Sequence, residues 1–361
     1  MNIINKQPAL TLHAGQSALA MIKEKGLSNE LFKLIVGASG GPKWFVLAGL
    51  DRYFCGEYFQ QRNNNPLYTL GSSAGAWRFS CYGQNEPLKA INRLIEGYSG
   101  LSYPANANIQ QITAQSEQLL AYVLGEQNGA DIVANKQVKS SVVVAKSLGL
   151  TRFEHKALQL PGLITSAAAN RISRRHLGKY YQRVIFSNDV DYIPFDYHDG
   201  IGSKVVALES ANISQALQAT GSIPLLINGV KNIKGAGNGM YRDGGIIDYH
   251  FDQQFLPEQD DGLVLYPHFY NEFKPGWFDK YIKSRFANKE HFDNTLILCP
   301  SAEFVQSLPY QKIPDRKDFA ELTETQRQNY FRTVASESER LADEFNELVN
   351  GNQSTDIIRS L

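Results

Sequence analysis

Twice near its beginning, the chain passes from a short apolar run through a glycine-rich loop into a helical pattern. Residues 31–36 (Leu-Phe-Lys-Leu-Ile-Val) lead into 37–43 (Gly-Ala-Ser-Gly-Gly-Pro-Lys), and residues 67–70 lead into 71–75 (Gly-Ser-Ser-Ala-Gly). A strand that ends in a loop and is followed by a helix is the repeating unit of an α/β fold. The sequence therefore predicts an α/β fold with a mainly parallel central sheet.

The remainder of the chain continues this pattern. Further strands are predicted at 140–145, 183–186, 204–208, 263–266 and 295–298. Helices are predicted at 44–59, from Ala76 onward, within 86–135, at 214–219 and at 323–350. Thr323 and Gln326 form a capping-box pair for the last helix, and Gly351 is placed to end it. No repeat or linker divides the chain, so we predict one domain over 1–361, with a core at about 31–300 and a C-terminal helical extension at 315–350.

Charge and cysteine content exclude several classes of protein. The 361 residues include 36 Lys+Arg and 36 Asp+Glu, so the chain lacks the basic excess of a dedicated nucleic-acid binder. Cys55, Cys81 and Cys299 lie far apart and form neither a zinc motif nor a disulfide framework. Residues 1–8 do not resemble a signal peptide, and no apolar run reaches the length of a membrane span. We therefore expect a cytoplasmic protein with reduced thiols, which can still contact a membrane surface peripherally.

The loop at 71–75 matches the pattern G-x-S-x-G, with Ser73 at its centre. Between a strand and a helix, this pattern is typical of a nucleophile elbow, where glycines allow the sharp turn that exposes the serine. The alternative is an ordinary glycine–serine turn.

Asp243-Gly244-Gly245 is a second candidate. A general base must lie within hydrogen-bond reach of its nucleophile, and glycines let a loop approach that closely. The alternative is a turn, since Asp-Gly is a common turn dipeptide.

The loop at 37–43 offers backbone N–H groups that could bind an anion, either a phosphate or a tetrahedral oxyanion. Pro42 and Trp44 flank Lys43 where a P-loop requires Gly and Ser or Thr, and Ser39 occupies the second glycine of a dinucleotide motif. An oxyanion hole is therefore the better interpretation.

Together the three motifs resemble the patatin-like phospholipase family, in the same order along the chain. The matching residues are Gly40, Gly41 and Lys43, then Gly71, Ser73 and Gly75, then Asp243, Gly244 and Gly245, with a weaker match at 216–224. The resemblance covers about 31–250 and implies a three-layer fold, with helices on both faces of the sheet.

The resemblance also implies a lipid acyl hydrolase that uses a Ser–Asp dyad without a catalytic histidine, metal or cofactor. Ser73 would be the nucleophile and Asp243 the base, the Gly40 and Gly41 amides would bind the oxyanion, and Lys43 and Ala74 would lie against the substrate. The expected partner is a lipid or another acyl ester, and no nucleic acid.

The first loop departs from the family pattern. Many members have Asp-Gly-Gly-Gly-x-Arg there, whereas this chain has Ser39 in place of a glycine and Lys43 in place of the arginine. A lysine keeps the charge but loses the bidentate fork of a guanidinium. The role of Lys43 and the substrate preference therefore stay open.

Three alternatives stay open for the activity. The chain could be a catalytically silent lipid- or protein-binding member of the same fold, or an esterase whose triad includes His250 or His268. An acyl-enzyme could also pass its acyl group to an alcohol other than water. The sequence determines neither the lipid headgroup nor the oligomeric state.

Three further clusters favour structural roles. The acidic segment of Asp189, Asp191, Asp196, His198 and Asp199 lacks calcium-loop spacing, so we expect solvated carboxylates. The aromatic segment 268–286 is interpreted as a core helix with exposed lysines, and lipid docking is its alternative. The basic residues Arg171, Arg174, Arg175 and Lys179 are interpreted as a solvated helix face.

Overall fold

A computed structural model describes residues 8–63, 65–104, 106–257 and 260–361, so all but one residue of the 1–8 segment lie outside it. Within those ranges the chain forms one sheet. Its strands are β1 Leu10–Ala14, β2 Phe32–Gly37, β3 Leu67–Ser72, β4 Val138–Ser147, β5 Tyr181–Ser187, β6 Ser203–Ala207, β7 Val230–Lys231, β8 Met240–Asp243, β9 Leu263–Pro267, β10 Thr295–Pro300 and β11 Arg359–Ser360. All seven predicted strands are confirmed, within three residues at each end. Strands β1, β7, β8 and β11 were not predicted from the sequence.

The helices lie between these strands and in the C-terminal region. They are α1 Gln16–Lys25, α2 Ala48–Gly56, α3 Ala74–Tyr82, α4 Pro87–Ser99, α5 Ile109–Leu124, α6 Ala130–Ala134, α7 Lys156–Ile172, α8 Ile213–Thr220, α9 Ala302–Ser307, α10 Asp318–Glu321, α11 Glu324–Glu337 and α12 Glu339–Val349. A 3₁₀ helix, Gly41–Leu47, leads into α2 and carries Pro42 in its first turn, where a missing N–H costs nothing.

The sheet is mostly parallel, as predicted, in the order β11-β1-β10-β9-β2-β3-β4-β5-β6. Strands β2, β3, β4 and β9 form its parallel centre. Every residue of β9 and β10 is buried. Because alternate residues of a strand point to opposite faces, burial of all of them means that both faces of the sheet are covered.

Strand β4 brings together two distant parts of the chain. One edge of β4 pairs with β5 through Ser141–Ser147. The other edge pairs first with β3, which ends opposite Val143, and then with β8, in which Asp243 lies opposite Val144. The end of β3 therefore meets the end of β8, although the two strands are far apart in sequence.

Two of the predicted helices differ in the structure. The helix predicted at 323–350 is two helices that meet at Ser338, whose Oγ donates to Ala335 O at 2.7 Å and accepts the Gly49 N–H at 2.8 Å. The bond from Gly49 attaches this junction to α2, and the bond to Ala335 lies within the last turn of α11. The capping box of Thr323 and Gln326 is confirmed.

The segment 268–286 is not the predicted core helix. Pro275 and Gly276 interrupt it, and the only helical turn in its described residues is the 3₁₀ helix Trp277–Tyr281. Phe273 and Phe278 are buried, as predicted. Lys274 is not a solvated lysine, because its Nζ donates to the carbonyls of Ile282 and Arg285 at 3.0 and 2.8 Å.

Within the described ranges, no helix has both the length and the apolar composition needed to cross a bilayer. Cys55, Cys81 and Cys299 are buried free thiols.

Candidate active site

Ser73 lies directly between β3 and α3, as the elbow interpretation predicts. Its backbone has φ 52° and ψ −125°, a conformation that residues other than glycine rarely adopt. The turn is sharp because β3 ends at Ser72 and α3 begins at Ala74. The serine side chain therefore stands at the carboxyl end of a central strand, with only 5% of the residue exposed.

Asp243 is the hydrogen-bond partner of that serine. Ser73 Oγ donates to Asp243 Oδ2 at 3.0 Å, and the other carboxylate oxygen accepts the Gly245 N–H at 2.7 Å. Burial raises the pKa of Asp243 above its ordinary value, while Arg316 and these two hydrogen bonds partly oppose the rise. The carboxylate is thus oriented, and it is more basic than an exposed aspartate.

The loop after β2 supplies Gly40 and Gly41. Gly41 has φ +56° and lines the same cavity as Ser73. A side chain on Gly40 would collide with the ring of Phe269, since a Cβ there would lie 2.5 Å from it. Neither N–H donates to an acceptor in the described part of the chain, so both are available to an oxyanion.

Lys43 and Ala74, the other two predicted substrate-contact residues, differ in position. Ala74 lines the Ser73 cavity, whereas Lys43 is not among the cavity-lining residues. Burial lowers the pKa of Lys43, and the nearby charges are those of Asp315, Arg316 and Asp318. The structure therefore does not bring Lys43 into the cavity beside Ser73.

Glycines allow the three loops to pack without side chains between them. A Cβ at Gly75 would lie 1.9 Å from the carbonyl oxygen of Gly37, and one at Gly244 would lie 2.2 Å from that of Val143. At Gly71 and Gly245 the corresponding contacts, with Ala76 N and Ser39 Oγ, are 2.6 and 2.4 Å. All four predicted motif glycines therefore occupy places where a side chain cannot fit without movement.

Gly75→Ala is expected to lower the free energy of unfolding by about 3 kcal/mol, because the methyl group would force α3 away from β2. Urea unfolding measures the change. Gly202→Ala is the matched control, since a Cβ there meets nothing within 4 Å. Equal shifts in the two variants would contradict the close approach of the loops.

Hydroxyl groups link the same loops. Ser39 Oγ lies 2.7 Å from Ser72 Oγ, which donates to Asp248 O at 2.6 Å, and the Ser39 N–H donates to Tyr249 O at 2.9 Å. Ser39, which departs from the pattern of the family that the sequence resembles, thus connects the loop at 37–43 to the segments that carry Ser73 and Asp243.

Thr220, at the end of α8, is a site residue that was not predicted from the sequence. Its Oγ1 accepts the Ser73 N–H at 2.8 Å and donates to Val143 O at 2.6 Å. Thr220 thereby holds the strained backbone of Ser73 against β4. The sequence signal that could have identified Thr220 is the weak family match at 216–224, which contains this threonine.

Thr220→Val keeps the shape of the side chain but removes both hydrogen bonds. Under the activity proposed below, we expect kcat for ester hydrolysis to fall about tenfold with little change in KM, because Ser73 loses its positioning contact and not its substrate contacts. Thr220→Ser should recover most of the activity in steady-state assays. A KM effect without a kcat effect, or no recovery by serine, would contradict the positioning role.

Ser73 opens into a cavity of about 420 Å³, within the range of small-molecule sites. Its walls come from α4, α5, the segment at 223–227 and α10, and they are mostly apolar. Representative lining residues are Trp44, Leu94, Leu101, Ile112, Leu119 and Phe319. Arg316 is the one charged residue among the described residues that line it. The cavity therefore suits an apolar chain, with one charged group at its wall.

The two histidines of the alternative triad contact each other. His250 and His268 are buried with ring centroids 4.3 Å apart, and Nδ1 of His250 accepts the Lys274 N–H at 3.1 Å. Burial lowers the pKa of both, that of His268 to about 3. Within the described residues neither histidine is hydrogen-bonded to Ser73 or Asp243.

One member of the acidic segment, Asp199, and one member of the basic cluster, Arg174, lie in a shared network of ion pairs. Arg183 donates to Asp199 and Asp248 at 2.6 Å, and Arg174 lies within 3.5 Å of the same two aspartates. Arg174 and Asp199 are thus not the solvated side chains predicted. Elsewhere in the acidic segment, Asp196 pairs with His198 at the surface.

Comparison with protein-family models gives no match, and comparison with curated proteins gives no significant match.

Proposed function

We propose that this protein is a serine acyl hydrolase that cleaves carboxylic esters of lipids, with a patatin-like fold. The observation that carries the proposal is the 3.0 Å hydrogen bond from Ser73 Oγ to Asp243 Oδ2 at the wall of an apolar cavity. A strained serine, a buried carboxylate and free backbone N–H groups on the neighbouring loop are the parts that acyl transfer requires.

The proposed reaction has two steps. Asp243 takes the proton of Ser73 Oγ as the oxygen attacks the ester carbonyl, and the Gly40 and Gly41 N–H groups stabilise the resulting oxyanion. Each such donor is typically worth about 3 kcal/mol of barrier. Asp243 then returns the proton to the departing alcohol, which leaves an acyl group on Ser73.

In the second step a water molecule gives its proton to Asp243 and attacks the acyl-enzyme. The tetrahedral intermediate collapses, Ser73 Oγ recovers the proton, and the carboxylic acid is released. The apolar cavity supports a substrate with an acyl chain, because its walls have few groups to bind a polar one.

A fluorophosphonate probe tests the proposal, because it reacts only with an activated serine. We expect mass spectrometry to find the adduct on Ser73 in wild type, and Ser73→Ala to give neither an adduct nor hydrolysis of a short-chain p-nitrophenyl ester. Hydrolysis at the wild-type rate by Ser73→Ala, or an adduct on another residue, would refute the assignment. A folded wild type that neither reacts nor hydrolyses would favour the silent binding member.

A further inference from the structure

Helix α7 (Lys156–Ile172) exposes several large apolar side chains and buries several polar ones. Its buried positions include the polar residues Gln159, Ser166 and Asn170. The large residues that face solvent are Leu158 (40% exposed), Leu160 (48%), Ile164 (60%) and Ile172 (78%). No charged residue occurs between Lys156 and Arg171. Surface helices normally expose charged side chains, so an exposed face of this kind marks an interaction surface.

The charges around α7 indicate what covers this face. Residues 150–180 contain six Lys or Arg and one acidic residue, although the whole chain is neutral. That acid, Glu154, is paired with Arg242 at 3.0 Å. Exposed basic side chains lie at both ends of the helix: Arg152, Lys156, Arg171 and Arg175. Two copies packed face to face along α7 would bring like charges together, whereas an anionic lipid surface complements both ends.

The buried side of α7 contacts a wall of the Ser73 cavity. Gln159 Oε1 accepts the Leu225 N–H at 3.1 Å, which attaches α7 to the segment that forms one cavity wall. The next residue, Leu226, lines the cavity and is 38% exposed.

We propose that the exposed face of α7 docks on an anionic membrane surface, lying along it without crossing it. The apolar side chains enter the headgroup region, and the basic residues at the two ends contact lipid phosphates. This surface differs from the aromatic segment 268–286 that the sequence suggested as the alternative docking site.

Vesicle co-sedimentation tests the proposal. We expect wild type to bind phosphatidylcholine–phosphatidylglycerol vesicles more strongly than pure phosphatidylcholine vesicles. The double variant Leu160→Glu/Ile164→Glu should lower the bound fraction about fivefold or more, because two charges replace buried apolar contacts. Tyr281→Glu is the matched control, since Tyr281 is 87% exposed in the segment 268–286.

Wild-type binding by the α7 double variant, with an unchanged urea midpoint, would overturn the proposal. So would a loss of binding in Tyr281→Glu alone. A dimer seen by light scattering that dissociates in the double variant, with no vesicle binding by wild type, would assign the face to a second copy. The fluorophosphonate adduct on Ser73 is measured separately, so failure of docking is distinguishable from failure of the proposed activity.

Discussion

Asp243→Asn is expected to lower kcat for ester hydrolysis about a thousandfold or more, with little effect on stability. The amide keeps the shape of the side chain and an oxygen for the Gly245 N–H, but it cannot take the proton of Ser73 Oγ. Steady-state kinetics with a p-nitrophenyl ester measure the loss. Asp196→Asn, at an exposed position, is the control and should behave as wild type.

The pH profile of wild type gives an independent check on Asp243. The base acts only when deprotonated, so kcat/KM should be present above the pKa of Asp243 and be lost as pH falls through it. Because burial raises that pKa, the acid limb should lie above the ordinary range of an aspartate. Near wild-type activity in Asp243→Asn would refute Asp243 as the base. A loss in His250→Ala or His268→Ala as large as that in Asp243→Asn would instead support the triad alternative.

Asp51→Ala is expected to lower the free energy of unfolding by about 3–5 kcal/mol. Asp51 and Arg78 are both fully buried and form two hydrogen bonds of 2.7 and 2.8 Å, and the Tyr82 hydroxyl donates to the same carboxylate at 2.8 Å. Removing the carboxylate leaves the Arg78 charge buried without a partner. Urea unfolding measures the change.

The buried pair joins α2 to α3, the helices that follow the loop at 37–43 and Ser73. Two variants serve as controls. Glu339→Gln breaks the partly exposed pair with Arg52 and should cost no more than about 1 kcal/mol. Asp51→Leu/Arg78→Met should recover part of the stability, because no charge remains buried. A loss in Asp51→Ala no larger than that in Glu339→Gln would contradict the expectation.

Much of the sheet could be predicted because its central strands are continuous apolar runs bounded by glycines. Strands buried on both faces have such runs, and the turns after β2 and β3 require glycine. Strands β8 and β11 have only four and two residues, and their pairing partners are distant in sequence. Local patterns do not record such pairings, so the sequence placed Asp243 in a loop motif without its strand.

Among the site residues, too, those in local motifs could be predicted and those brought in from distant segments could not. Ser73 and Asp243 occur in motifs that require particular neighbours, whereas Thr220 acts through one hydroxyl that meets Ser73 across 147 residues of chain. Arg316 reaches the cavity from the C-terminal region, where no motif marks it. Helix α7 was not among the predicted helices. Periodicity alone would not have given its orientation, because it identifies an apolar face but not whether that face points inward.

The backbone of Ser73 has a consequence for how this chain can evolve. A residue at φ 52° and ψ −125° costs about 1–3 kcal/mol of folding free energy unless it is glycine. Selection for heat resistance alone would therefore favour Gly at position 73 and discard the hydroxyl. If serine persists at position 73 in a lineage, selection has retained the hydroxyl for its function, at the cost of thermal stability.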